Sequence, residues 1–122
     1  MNDLIIKPTQ KSLDVKCTPG EVSLSGNSIL ADPKVFFEPV FKWVEEYLKE
    51  PEETTTVNLK FEYVDTASVQ RIFDILKHLR ELKHNEKELS VNWYYEMDDP
   101  ELLELGEIMD GRLGLEFNYI EY

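Results

Sequence analysis

The hydrophobic pattern of this chain switches repeatedly between the strand period and the helix period, and that alternation most constrains its fold. Val57, Leu59, Phe61 and Tyr63 alternate with Asn58, Lys60 and Glu62, the spacing of a strand with one buried face. From Thr66 the apolar residues recur at three and four: Val69, Ile72, Phe73, Leu76 and Leu79 predict a helix running to about His84. Leu89, Val91, Trp93 and Tyr95 return to alternation. Asp98-Asp99-Pro100-Glu101 then opens a further helix, with three carboxylates at the positive end of its dipole. Leu102, Leu105, Ile108 and Met109 form its expected core side, and Gly111 its expected stop. Leu113, Leu115, Phe117 and Tyr119 predict a last alternating strand.

Upstream, the segments Leu13 to Cys17 and Glu21 to Ser25 flank Thr18-Pro19-Gly20, which predicts two short strands joined by a turn. Asp32-Pro33 is a helix-start signature, because Asp can cap and Pro fits the first turn. Phe36, Val40, Trp43 and Tyr47 form one apolar stripe after it, and Phe37, Phe41, Val44 and Leu48 the stripe beside it. Pro39 lacks a backbone donor, so the helix either kinks there or becomes regular there.

The three later strands alternate and are not apolar on both sides, as a sheet enclosed between two helix layers would be. The expectation is an α/β single domain over residues 1–122: a mixed sheet with an N-terminal hairpin at one edge and three helices mainly on one face. The β-α-β-α-β order implies right-handed crossovers and a parallel core to the sheet. A length of 122 residues suits one domain.

Charge restricts the partners. Twenty-five acidic residues against 13 basic ones give a net charge of −12, a field that repels nucleic acid and anionic membrane surfaces. The expected partners are proteins with basic patches, or none. No apolar run approaches the roughly 20 residues that span a bilayer, and the first residues do not read as a secretory leader. A single cysteine, Cys17, cannot form an internal disulfide, which suits a reducing cytoplasm.

Catalytic chemistry finds little to use. His78 and His84, the only histidines, lie on one predicted helix at different angular positions and read as surface residues. Cys17 falls in the alternating pattern of Leu13 and Val15, which predicts a buried thiol. Asp98, Asp99, Glu101 and Glu104 could bind a hard cation, but carboxylates at a helix start serve first as capping and dipole groups, so no metal or cofactor is expected. Gly106, Gly111 and Gly114 follow no phosphate-cradling motif.

What remains is Tyr63-Val64-Asp65-Thr66-Ala67-Ser68, where a strand gives way to a helix within about two residues. Asp65 or Thr66 is suited to cap that helix. A phosphate on Thr66 would add roughly two negative charges at a helix N-terminus, a position that favours anions, although Asp65 and Glu62 would crowd it. Such a modification changes surface potential without dismantling a core.

These residues resemble the SiaC-like family of bacterial regulatory phosphoproteins, small domains related in fold to STAS-type anti-sigma factor antagonists. Tyr63 to Ser68 matches the family's aromatic residue and Asn-Thr-Ser-Ser stretch, with Asp65 in place of Asn and Ala67 in place of the first Ser. Trp93-Tyr94-Tyr95-Glu96 and Asp98 to Gly106 match a Trp-x-Tyr segment leading into an acidic helix. Gly26-Asn27-Ser28 and Phe36 to Leu48 match a Gly-x-Ser turn and an aromatic-rich helix, with Ile29-Leu30-Ala31-Asp32 where the family has Pro-Glu-Asn. The resemblance implies a non-enzymatic switch phosphorylated on Thr66, with Ser68 as the alternative acceptor and Tyr63, Asp65 and Ala67 flanking it. It implies a partner kinase, a PP2C-type phosphatase and a diguanylate cyclase client bound by the unmodified form. Antagonism of an anti-sigma factor is the alternative; a small acidic ligand- or metal-binding domain comes third.

Overall fold

The computed structural model describes residues 1–122. Six strands form one sheet in the order β1 (Leu4–Ile6), β2 (Asp14–Thr18), β3 (Glu21–Ser28), β4 (Thr54–Val64), β5 (Glu88–Tyr95) and β6 (Asn118–Glu121). The helices are α1 (Pro33–Tyr47), α2 (Thr66–Leu79), the single turn α3 (Glu81–His84) and α4 (Pro100–Leu113). Strands β1 to β3 pair antiparallel, and β3 to β6 run parallel. The expected mixed α/β architecture is therefore present, with the hairpin at one edge.

Strand register explains why the helices gather on one side. Val22, Val57 and Val91 are mutual partners across β3, β4 and β5, and so are Leu24, Leu59 and Trp93. All six are buried. The intervening positions carry Ser23, Asn58, Asn92 and Asn118, whose side chains join hand to hand across the open face. The Asn58 amide donates to Ser23 Oγ at 3.2 Å, the Asn92 amide to Asn58 Oδ1 at 2.9 Å, and the Asn118 amide to Asn92 Oδ1 at 3.1 Å. A face satisfied by amides in this way has no demand for a helix layer. The buried face meets Phe37, Val40 and Val44 of α1, Ile72, Leu76 and Leu79 of α2, and Leu102 and Met109 of α4.

Two aspartates set the starts of α1 and α4. Asp32 caps α1 by accepting from Val35 N at 3.2 Å, and Asp99 caps α4 by accepting from Leu102 N at 3.0 Å, each followed by Pro at the first helical position. Helix α1 continues through Pro39.

Four expectations change. Helix α2 ends at Leu79: the helical ladder is interrupted at Arg80, whose guanidinium donates to the Leu113 carbonyl at the end of α4 at 3.1 Å, and α3 carries the chain on to His84. Helix α4 runs past Gly111 and stops at Gly114, which takes the left-handed conformation (φ 68°) and donates to Asp110 O at 2.9 Å. Leu113 is consequently helical, Leu115 and Phe117 are buried in a connection, and β6 begins only at Asn118. Ile108 faces solvent, whereas Leu102, Met109 and Leu113 are buried and Leu105 is half-buried against the core. Strand β1 is an addition that the sequence pattern did not predict.

The strand-to-helix junction as candidate functional site

Strand β4 ends at Val64 and α2 begins at Thr66, so a single residue, Asp65, makes the turn. The neighbouring parallel strand ends beside it: after a register shift between Gly26 and Asn27, Asn27 partners Tyr63 and Ser28 partners Val64. Asp65 N then donates to Ser28 O at 3.0 Å, extending the ladder by one rung.

Asp65 is the cap. Its Oδ1 accepts from Ser68 N at 2.8 Å, and its Oδ2 accepts from Leu30 N at 3.2 Å. One carboxylate thus satisfies a free N–H of α2 and also holds the loop between β3 and α1. The Ser68 side chain, and to a smaller degree the N–H groups of Ser68 and Leu30, hold the Asp65 carboxyl below its ordinary pKa against a desolvation that works the other way. Beneath the cap, the Ser28 hydroxyl donates to Ser68 Oγ at 2.7 Å, and Ser68 Oγ lies 3.4 Å from Ser28 O as donor. Both serines are fully buried.

Thr66 has a different environment. It is the first residue of α2, exposed, and takes part in none of the junction's hydrogen bonds. Ala67 and Tyr63 are exposed as well. The five flanking and acceptor positions therefore separate: Tyr63, Thr66 and Ala67 on the surface, Asp65 half-buried as the cap, and Ser68 beneath it.

Elsewhere the titratable groups are committed to structure. Cys17 is buried, and burial pushes its thiol up to about 12, far from a thiolate at neutral pH. His78 meets the Phe41 ring edge-on at 5.6 Å, and exposed His84 Nδ1 lies 3.5 Å from Glu81. Asp98, Asp99, Glu101 and Glu104 do not assemble into a metal-ligating group, and Asp99 is used as the α4 cap. No helix is long and apolar enough to cross a membrane. The sequence pattern left Asp65 and Thr66 both suited to the cap, and the structure decides for Asp65; Ser28 and Leu30 carry no sequence signal for their part in the junction.

Fold and junction together define a one-sided α/β domain that presents an exposed threonine at the carboxyl end of its parallel strands. The chain belongs to the SiaC family of regulatory phosphoproteins, whose profile matches residues 6–122. It is 28% identical over 109 residues to an uncharacterized protein of Pseudomonas aeruginosa strain UCBPP-PA14, covering 88% of this chain and 86% of that one. The crystal structure of apo-SiaC from Pseudomonas aeruginosa matches with a TM-score of 0.87 at 27% identity, over 98% of this chain and 99% of that one. A chain in the crystal structure of the diguanylate cyclase SiaD with its activator SiaC, from the same organism, matches with a TM-score of 0.90 at 25% identity, over 98% and 100%.

Proposed function

We propose that this chain is a non-enzymatic bacterial signalling protein, acting as one regulatory domain over residues 1–122 in the cytoplasm and switched by reversible phosphorylation of Thr66. A protein kinase adds the phosphate and a PP2C-type phosphatase removes it. The unmodified form binds and activates a diguanylate cyclase. The observation that carries this reading is the division of labour at the junction. Asp65 does the capping and Ser68 the buried bonding, so the exposed Thr66 hydroxyl is free to accept a phosphate without loss of either. The likeness to SiaC, which was solved in complex with the cyclase it activates, supports the choice of client.

A dianion at Thr66 would share the first turn of α2 with the Asp65 carboxylate, altering the potential and the shape that a partner meets. Incubation with the cognate kinase and ATP should label Thr66, and Thr66→Ala should abolish the label. Label that persists on that variant, or that moves to Ser68, overturns the assignment. Thr66→Glu should weaken cyclase binding in a pull-down; capture of an anti-sigma factor in its place would keep the switch and change the client.

A further inference from the structure

Exposed apolar side chains are concentrated at the end of the molecule that carries Thr66. Eight large ones are exposed in all; three stand at the carboxyl ends of the adjacent parallel strands β3, β4 and β5, a fourth on the helix that β3 feeds, and Tyr122 follows the parallel strand β6. Ile29 (44% exposed) follows β3, Tyr63 (55%) closes β4, Met97 (78%) follows β5, and Val35 (63%) sits in the first turn of α1, which β3 feeds. Isolated exposed apolar residues are ordinary; a set of them gathered where an α/β sheet places its binding loops is a mark of contact.

One cleft at this end combines apolar and acidic walls. Between the end of β4 and the start of α4, Val64, Leu102 and Leu105 are its apolar lining beside Tyr63, and Glu62, Asp99 and Glu101 supply carboxylates. Glu96 and Asp98 lie in the adjoining connection from β5 to α4. The negative field has an internal reporter: the Tyr122 phenol is pushed above its ordinary value by burial first, and then by Glu96, Glu62 and Asp99. Lys34 stands in the first turn of α1, and the Lys60 ammonium sits 4.4 Å from the Tyr122 ring centroid on the open face. Carboxylates thus predominate around the cleft.

We propose that this end docks a partner segment that inserts an apolar side chain into the β4–α4 cleft and sets lysine or arginine side chains against Glu62, Asp99 and Glu101. Charge complementarity selects the occupant, because an acidic segment would meet both the local carboxylates and a net charge of −12. The inference rests on the Thr66 reading for its regulation and not for its chemistry. It also fixes how a phosphate would act. Toward a basic segment a dianion on Thr66 adds Coulomb attraction, so release must come from the cost of desolvating that dianion among Ile29, Val35 and Tyr63. High salt should therefore weaken binding of the unmodified protein, while the penalty of phosphorylation persists.

The test is a titration of the isotope-labelled chain, followed by amide chemical shifts, with a synthetic amphipathic peptide of leucine and lysine and with its leucine–glutamate counterpart. The lysine peptide should perturb Tyr63, Val64, Met97 and Leu105, and the glutamate peptide should perturb none of them. The paired substitution Glu62→Lys with Glu101→Lys, both at exposed sites, should lower affinity at least about tenfold, and Glu45→Lys with Glu46→Lys on the outer face of α1 much less. Shifts gathered on α1, equal losses from the two pairs, or no binding at millimolar peptide would each overturn the proposal. Labelling of Thr66 is scored separately: a labelled chain that binds the peptide elsewhere loses the docking site alone, and a chain that binds here without being labelled loses the switch alone.

Discussion

The hydroxyls of Ser28 and Ser68, forty residues apart in sequence, meet at 2.7 Å inside the protein. This bond ties the last residue of β3 to the first turn of α2, directly under the Asp65 cap and Thr66. It gives the junction a rigid floor. It also separates the two candidate acceptors physically: Thr66 is exposed on the folded surface, whereas Ser68 becomes accessible only if that turn opens.

Removing one member of a buried pair strands the other. Ser68→Ala should cost about 1–3 kcal/mol, because the Ser28 hydroxyl loses its acceptor in a site without water access. The Ser28→Ala and Ser68→Ala double variant should cost less than the sum of the singles, with a coupling of roughly 0.5–3 kcal/mol. Urea unfolding of the four proteins measures it, and strict additivity would show that the two hydroxyls act independently.

Thr66 and Asp65 should differ sharply in stability although they are adjacent. Thr66→Ala removes an exposed side chain without an intramolecular hydrogen bond, so its effect should stay within about 0.5 kcal/mol. Asp65→Ala removes the cap of α2 and the anchor of Leu30 together, and should cost about 0.5–2 kcal/mol. Thermal melts of both variants test this ordering. An unchanged melt for Thr66→Ala would qualify that variant for testing the proposed switch, because any lost function would then not come from lost stability.

The Asp65 carboxyl also predicts a pH dependence. Its folded-state pKa lies below the unfolded value, so the folded protein binds its proton less readily and the charged cap adds stability. That contribution is fully present above the ordinary carboxylate range and disappears as pH falls through the depressed folded-state value. Asp65→Asn should therefore be less stable than wild type near neutrality, and the gap between them should shrink on acidification below about pH 4. A gap that widens in acid would mean that the carboxylate is not the stabilising form.

Local rules explain what could be read from the sequence alone. The change of period at Thr66 and the Asp-Pro signatures at Asp32 and Asp99 are each determined by residues within one or two turns, and the structure reproduces them. The features that escaped depend on distant partners. Leu4–Ile6 is too short to announce a strand and becomes one by pairing with Val15–Cys17. Ser28 and Leu30 matter only because the β3–β4 register brings them beside Asp65. Gly111 and Gly114 are equivalent as stop signals in sequence, and the buried positions of Leu113 and Leu115 decide in favour of the second.

The glycines of α4 offer the most discriminating packing test. Trp93 is fully buried, donates from Nε1 to Leu102 O at 3.1 Å, stacks on Phe117 at 6.1 Å and meets Phe61 edge-on at 5.7 Å. An indole held on so many sides cannot retreat, and a Cβ on Gly106 would lie 2.6 Å from it. Gly106→Ala should therefore destabilise by roughly 1–3 kcal/mol, despite the helix propensity that alanine brings. Gly111 occupies the same helix with nothing within 4 Å of the added methyl. There propensity acts unopposed, and Gly111→Ala should stabilise by about 0.5–1 kcal/mol. Chemical denaturation of the two variants should shift their midpoints in opposite directions. Midpoints that move the same way would mean that Trp93 does not set the closeness of α4 to the sheet.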